Sequence, residues 1–231
     1  MSKHDVHVTF AGRIVMVGFG SIGQGVLPLI LRHIGTSPER ITIVTAEDKG
    51  NGEAREFGVK FVKSALTREN YHRILEPLVG AGDFLLNLSV DVSSIALIKL
   101  ARERGALYLD TCVEPWAGGY TDATIPVETR SNYIMRLEAL RLRSGAKDAP
   151  TAVLTHGANP GLVSHFVKQA LLNIAADTGV EINAPTHRAE WAKLAQTLGI
   201  KVIHVAERDT QITDVPKEPN EFVNTWSVDG F

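Results

Sequence analysis

The sequence predicts an α/β fold: a doubly wound parallel sheet followed by the start of a second, α+β domain. Three observations carry that expectation. Short β-like apolar runs alternate with longer stretches of helical period through residue 157, and the earliest run opens directly into the glycine-rich string GFGSIG. After His156 the rhythm changes to two helical patterns and a single apolar run.

The elements follow in order. RIVMVGF (13–19) is the first strand, and its near-continuous apolar character suits burial on both faces of a parallel sheet. A helix over 22–34 leads to the strands ITIVTA (41–46) and VKFVKS (59–64), then to a helix over 68–79. FLLNLSV (84–90) repeats the doubly buried pattern. The helix over 93–104 is bracketed by Ser93 as N-cap and Gly105 as C-cap. ALYLDTC (106–112), a helix over 128–144 and TAVLTHG (151–157) complete a first domain at 1–157. Residues 158–231 hold helices at 161–177 and 186–198 and the strand KVIHVAE (201–207). A lone strand leaves both hydrogen-bonding edges open, so this part reads as an incomplete domain that needs more chain or a partner. The ending FVNTWSVDGF agrees, because its apolar and aromatic face is unlike a frayed terminus.

Composition excludes several classes. Hydrophobic residues at 44% and charged residues at 22% fit a globular chain of 231 residues rather than a disordered or fibrous one. A net charge of -2 without a Lys/Arg cluster gives no footprint for nucleic acid. No apolar stretch reaches the roughly 18 residues of a membrane span, and the N-terminus carries no signal-peptide run. The single cysteine, Cys112, allows no internal disulfide and no multi-thiol metal site, which points to the reducing cytoplasm.

In GFGSIG, Gly18, Gly20 and Gly23 have the spacing G-x-G-x-x-G between a strand and a helix. The first would make the tight turn, the second would let a pyrophosphate approach the backbone, and the third would let helix and strand pack closely. Amides at the helix start, at Ser21 and Ile22, would then face the phosphates. An acid at the end of the second strand would bind ribose hydroxyls and favour NAD over NADP. Thr45 stands there, Glu47 and Asp48 follow, and Glu47 is the candidate, with two solvated loop carboxylates as the alternative. Ligands of open α/β sheets lie beyond the carboxyl ends of strands, so NLSVD (87–91) and DTCVEPW (110–116) add Ser89 and Thr111.

Polar residues with chemical potential gather in three places. Glu114 and Trp116 flank Pro115; Asn159 sits at the tip of the turn HGANPG; and Glu207, Arg208, Asp209, Asn224 and Trp226 lie toward the end. Each has a plainer explanation: Asn159 before Pro160 is a common helix start, Glu207 a solvated strand end, Trp226 a core residue. His156, His165 and His204 lack metal-ligand spacing, and Cys112 reads as a small buried residue rather than a nucleophile. No metal site is expected.

The segments GFGSIGQG, DTCVEPW, THGANPGLVSHFVKQALLNIA, EWAKLAQTLGIKVIHVAERDTQ and FVNTWS resemble the bacterial homospermidine synthases, relatives of the saccharopine dehydrogenases, over nearly the whole chain. The resemblance implies a Rossmann-like domain that keeps NAD bound and an enzyme that converts two putrescines into homospermidine plus ammonia. It implies Glu207 as a carboxylate and Trp226 as an indole of the amine pocket, with Glu114 and Asn159 at further active-site positions. Asn159 would also meet the cofactor. Members of that family are about twice as long, so the resemblance places further pocket residues and a homodimer contact in the part not seen here, and activity of the 231-residue form alone is open. Two other readings remain at this point. A saccharopine or carboxynorspermidine dehydrogenase would need arginines for substrate carboxylates, where these segments offer mainly Glu, Asp and Trp with Arg208 the exception. A noncatalytic NAD-binding module would use the glycine loop alone.

Overall fold

The structure, a computed structural model, describes residues 4–143, 145, 148–208, 210, 212 and 214–223. In chain order the elements are β1 (Val8–Thr9), β2 (Ile14–Val17), α1 (Ser21–His33), β3 (Ile34–Gly35), β4 (Ile41–Thr45), α2 (Asn51–Glu56), β5 (Lys60–Lys63), α3 (Tyr71–Leu75), β6 (Phe84–Asn87), α4 (Ser94–Arg104), β7 (Leu107–Asp110), α5 (Asn132–Arg141), β8 (Ala152–Val153), α6 (Leu162–Asp177) and α7 (Arg188–Thr197). One compact unit runs through Thr155 and a second begins at His156.

Six parallel strands form the sheet of the first unit in the order β5-β4-β2-β6-β7-β8. Counted along the chain from β2, this is the order 3-2-1-4-5-6 of a doubly wound dinucleotide fold. The two-residue period of β2 explains the double winding. Ile14 and Met16 pack with Leu27 and Ile30 of α1 on one face, while Val15 and Val17 pack with Leu97 and Leu100 of α4 on the other. All four β2 side chains are buried. Truncating any of the large apolar groups to alanine would cost about 2–5 kcal/mol.

Local chemistry sets the ends of the elements. Ser93 Oγ accepts the Ala96 amide and Gly105 takes a left-handed conformation, so α4 is capped as its sequence predicts. At the start of β2, the Asp83 carboxylate accepts the Arg13 amide at 2.7 Å, Arg13 Nε at 2.9 Å and the Gly80 amide at 2.8 Å, which pins the loop before β6 to the first strand.

Several expected elements are shorter. The helix expected over 68–79 is Tyr71–Leu75: the Asn70 side chain closes a turn by accepting the Thr67 amide and donating to Ala65, and at the other end Glu76 keeps helical angles but Pro77 has no amide to donate to the Arg73 carbonyl. The strand expected over 151–157 pairs only at Ala152–Val153. Two features went unexpected, the six-residue α2 and the small parallel pair β1–β3 beside the stacked rings of His7 and His33. Both are too short for a hydrophobic period to declare itself.

The second unit packs α6 and α7 around Leu171, Ala175 and Leu194, with Trp191 and Ile200 against them. The strand expected over 201–207 does not form. These residues are exposed and irregular, and no strand of this unit lies among the described residues to complete a ladder with them. A β-prone segment with no partner cannot satisfy its backbone as a strand.

Candidate functional site

The carboxyl ends of β2, β4, β5 and β6 surround a cleft of about 540 Å³ in the first unit, at the point where strand order reverses between β2 and β6. Gly18, Gly20, Thr45, Glu47, Lys49, Ser89 and Asp91 are among the residues that line it.

The three loop glycines do different work. Gly18 has φ +87°, its amide donates to Val44 O at 2.9 Å, and a Cβ there would lie 2.7 Å from the Ser89 amide nitrogen. Only glycine lets β2 turn this close to β6. At Gly23 a Cβ would come within 3.0 Å of Gly18 O and of the Phe19 ring, so the third glycine seats α1 against the strand end. At Gly20 a Cβ would meet nothing within 4 Å. The middle glycine therefore borders open space, and no local packing requires it. Gly20 is also the N-cap of α1, with no side chain capping the helix, and the first intrahelical donor is Gln24 to Gly20 O at 3.0 Å. The earlier amides, including those of the exposed Ser21 and Ile22, carry the positive end of the helix dipole. This is an anion-binding arrangement.

Glu47 and Lys49 stand together in the cleft wall after β4. Ser89 lies opposite, held by Asn87 Oδ1, which accepts the Ser89 hydroxyl at 2.6 Å and its amide at 3.2 Å. Thr111 follows β7, half-buried, and is not part of the cleft lining. Glu114 is buried at 4% exposure, its backbone clipped to the start of α4 by two bonds to Ser94, one from Ser94 N at 2.9 Å and one to Ser94 Oγ at 3.0 Å. Burial pushes its carboxyl above the usual range, against hydrogen bonds from the Cys112 thiol, the Asp91 amide and the Tyr120 hydroxyl that pull it down. Asp91 thus joins Glu114 to the cleft. The same burial, with Glu114 beside it, pushes the Cys112 thiol up to about 12, so it stays protonated at neutral pH and is no nucleophile.

The other predicted residues lie elsewhere. Asn159 belongs to the second unit, in a turn tied by Gly157 N to Pro160 O at 2.9 Å and Leu162 N to Gly157 O at 2.8 Å, with a cis Asn159–Pro160 peptide. The N-cap of α6 is Gly161, so Asn159 does not cap that helix. Glu207 is exposed in the irregular stretch after α7. Trp226, with Asn224 and Asp209, lies outside the described residues. Sequence reasoning did not single out Asp91, Asn87, Tyr108 or Asp110, although the strand ends NLSVD and DTCVEPW that it nominated contain all of them but Tyr108. The signal for the last three was a polar or hydroxylated residue inside an apolar strand, in FLLN and LYLD.

A family profile described as the saccharopine dehydrogenase NADP binding domain matches residues 14–154, which covers the whole parallel sheet. The chain belongs to that family. As a saccharopine dehydrogenase-type NADP-binding domain with further residues attached, it is 51% identical over 234 residues to a homospermidine synthase of Blastochloris viridis, matched over 100% of this chain and 49% of that protein. A homospermidine synthase of Mesorhizobium japonicum is 46% identical over 231 residues, 98% of this chain and 48% of its own. A crystal structure of a homospermidine synthase from Legionella pneumophila in complex with NAD superposes with a TM-score of 0.80 at 48% identity, covering 96% of this chain and 46% of that one. The chain spans about half the length of the curated relatives it matches. Among the described residues no helix is long and apolar enough to cross a membrane, and no group of three His, Cys, Asp or Glu is arranged to hold a metal ion.

Proposed function

We propose that this chain carries the cofactor-binding half of a homospermidine synthase, which joins two putrescines into homospermidine with release of ammonia. The observation that carries this reading is a cleft lined by the glycine loop at the β2/β6 switch point, in a chain that is 51% identical over its whole length to about half of an enzyme of that name. The residues fit a dinucleotide: open space at Gly20 and the uncapped helix start suit a pyrophosphate. Gly18, Gly20, Ser21, Ile22 and Gly23 would hold the phosphates and Glu47 the ribose hydroxyls, with Ser89 at the nicotinamide half. Glu47 in the cleft wall opposes a 2′-phosphate, which favours NAD.

When bound, NAD supplies a hydride acceptor for the amine-bearing carbon and returns the same hydride to the exchanged imine, so no net oxidation occurs. The protein residues handle charge and protons. Putrescine, with amines near the Lys value of about 10.4, arrives as a dication. Glu207 and Glu114 would receive its ammonium groups. Glu114, held above the usual carboxylate range by burial, is suited to accept a proton from the reacting amine and give it back. Trp226 would face the ammonium or iminium with its ring, worth roughly 0.5 to 2 kcal/mol. The reading also takes in a cytoplasmic setting, in keeping with the unpaired Cys112, and a homodimer of the longer polypeptide.

Putrescine and NAD⁺ are incubated with the full-length and 231-residue forms, and products are identified by mass. Homospermidine with ammonia and no accumulation of NADH is expected from the full-length form. Net NADH with an oxidised amine product would favour a dehydrogenase instead, and absence of NAD binding would remove the reading altogether.

A further inference from the structure

A directed chain of hydrogen bonds runs beneath the cleft from Ser89, through residues given no role above. The Ser89 hydroxyl and amide donate to Asn87 Oδ1 at 2.6 and 3.2 Å. Asn87 Nδ2 donates to the Tyr108 hydroxyl at 3.3 Å, which donates in turn to Asp110 Oδ2 at 2.9 Å. The other carboxylate oxygen of Asp110 accepts the Thr155 amide at 2.6 Å. Asn87 and Tyr108 are each 1% exposed and Asp110 is 0% exposed. From Ser89 to Asp110 each bond is donated inward, and the Thr155 amide closes the chain by donating to the carboxylate from the far side.

Such an arrangement is costly to build. Burial pushes the Asp110 carboxyl above its usual range, although the Thr155 amide and the Tyr108 and Ser94 hydroxyls oppose it. A buried carboxylate and amide need full pairing, and a strand built only to pack would carry apolar groups at 87 and 110. The far end of the chain is itself held fast: Thr155 sits at φ +52°, a conformation side chains other than glycine adopt only when held. The near end is a single serine on the cleft, and its backbone is the surface against which Gly18 turns.

We infer that Asn87, Tyr108 and Asp110 are positioning residues for the cofactor: the relay fixes the Asn87 amide, and through it aims Ser89 at the second mononucleotide of a bound dinucleotide. The doubly wound fold comprises two mononucleotide-binding halves, and Ser89 follows β6, the first strand of the second half. Removing the relay would therefore weaken NAD while sparing a ligand that occupies only the first half. The inference rests on the proposed dinucleotide site.

The experiment uses the 231-residue chain and measures dissociation constants for NAD⁺ and for AMP, with melting temperature, in the parent and in Asn87→Ala, Tyr108→Phe and Asp110→Asn. Tyr108→Phe keeps the ring and cuts the relay at one hydroxyl, so it tests the idea if the other variants fold poorly. NAD⁺ affinity is expected to fall about fivefold to tenfold with AMP affinity unchanged. A structural role alone would weaken both ligands in proportion, or neither at temperatures below melting, and either result in the folded Tyr108→Phe variant overturns the inference. A parent chain that binds AMP and NAD⁺ equally well overturns it too, because the second half then contributes nothing. A parent that binds neither ligand defeats the dinucleotide reading itself, and the inference with it.

Discussion

Replacing Gly20 by valine separates cofactor binding from folding. In the parent, Gly20 has φ -76°, which any residue adopts, and a Cβ there would touch nothing within 4 Å. Valine is a poorer N-cap than glycine by about 1 kcal/mol. The loss of backbone freedom in the unfolded chain returns about 0.4–1 kcal/mol. The two nearly cancel, so with a shift of about 2–4 °C per kcal/mol for a chain of this size, the melting temperature should move by no more than about 4 °C. Binding should behave otherwise. The new methyl groups occupy the space left for the pyrophosphate and push it from the helix-start amides, and NAD affinity should fall at least a hundredfold, equivalent to about 2.8 kcal/mol. Gly18→Ala is the contrasting control: its Cβ would lie 2.7 Å from Ser89 backbone at a positive φ, which costs about 1–2 kcal/mol for the conformation and about 1–3 more for the crowding. Titration calorimetry with NAD⁺ and thermal melting on both variants make the measurement. If the Gly20→Val variant holds NAD as the parent does, the anion does not pass this loop and the argument from open space fails.

Four further outcomes are expected. Because burial raises the Glu114 carboxyl in the folded state, the native form holds its proton more tightly than the unfolded one, and stability falls as pH rises from the ordinary carboxylate value through the raised one; Glu114→Gln should remove that fall, seen as a gain in melting temperature over the parent above the window. Asp83 behaves oppositely: burial pulls its carboxyl up, but Arg13 and the Gly80 amide outweigh that and lower it, so its contribution is present above the ordinary value and is lost as pH falls through the lowered one. Asp83→Asn should cost about 2–3 kcal/mol in urea melts at pH 7 and flatten the acid limb. Under the proposed synthase reading, and in a form that has the remaining half of the relatives' length, Trp226→Phe should keep part of the diamine turnover and Trp226→Ala little of it, with NAD content and melting temperature nearly intact; an alanine variant that simply melts, at a loss of about 3–5 kcal/mol, would make Trp226 a core residue. Amides of 201–207 should exchange with solvent without protection while those of β2 and β6 are slow, and protection across 201–207 in the isolated chain would contradict the absence of a ladder.

The sheet was legible because its central strands are buried on both faces, and IVMV or FLLN announce that without help from neighbours. The glycine loop was legible for a similar reason: backbone needs at Gly18 and Gly23 leave few alternatives in sequence. Glu47 could be nominated but not placed, since a loop acid faces a cleft only when the strand order is known. Asp91 was hidden inside a quoted strand end, for its role depends on a left-handed turn at φ +61° that points its amide to Glu114. The relay below Ser89 joins residues from two strands and the end of a third, and only register brings Asn87 opposite Asp110. At 201–207 local propensity suggested a strand, yet pairing is a property of two segments, and one cannot be read from the other.

The pairing of β2 with β6 also governs how the chain comes off the ribosome. Arg13 and Asp83, which tie the two strands, are 70 residues apart. At a synthesis rate of roughly 5–20 residues per second, the β6 side of Ile14–Val17 stays without a neighbour for about 4 to 14 seconds after it is made. During that interval the most apolar strand of the sheet has one bare edge, an invitation to pair with another nascent chain. Ribosome-stalled chains that stop before Phe84 should be cut by protease across 14–17, and chains extended well past Asn87 should resist. Synonymous codons that slow translation between residues 18 and 83 would lengthen the exposure, so the yield of soluble protein should respond to tempo in that stretch more than anywhere downstream.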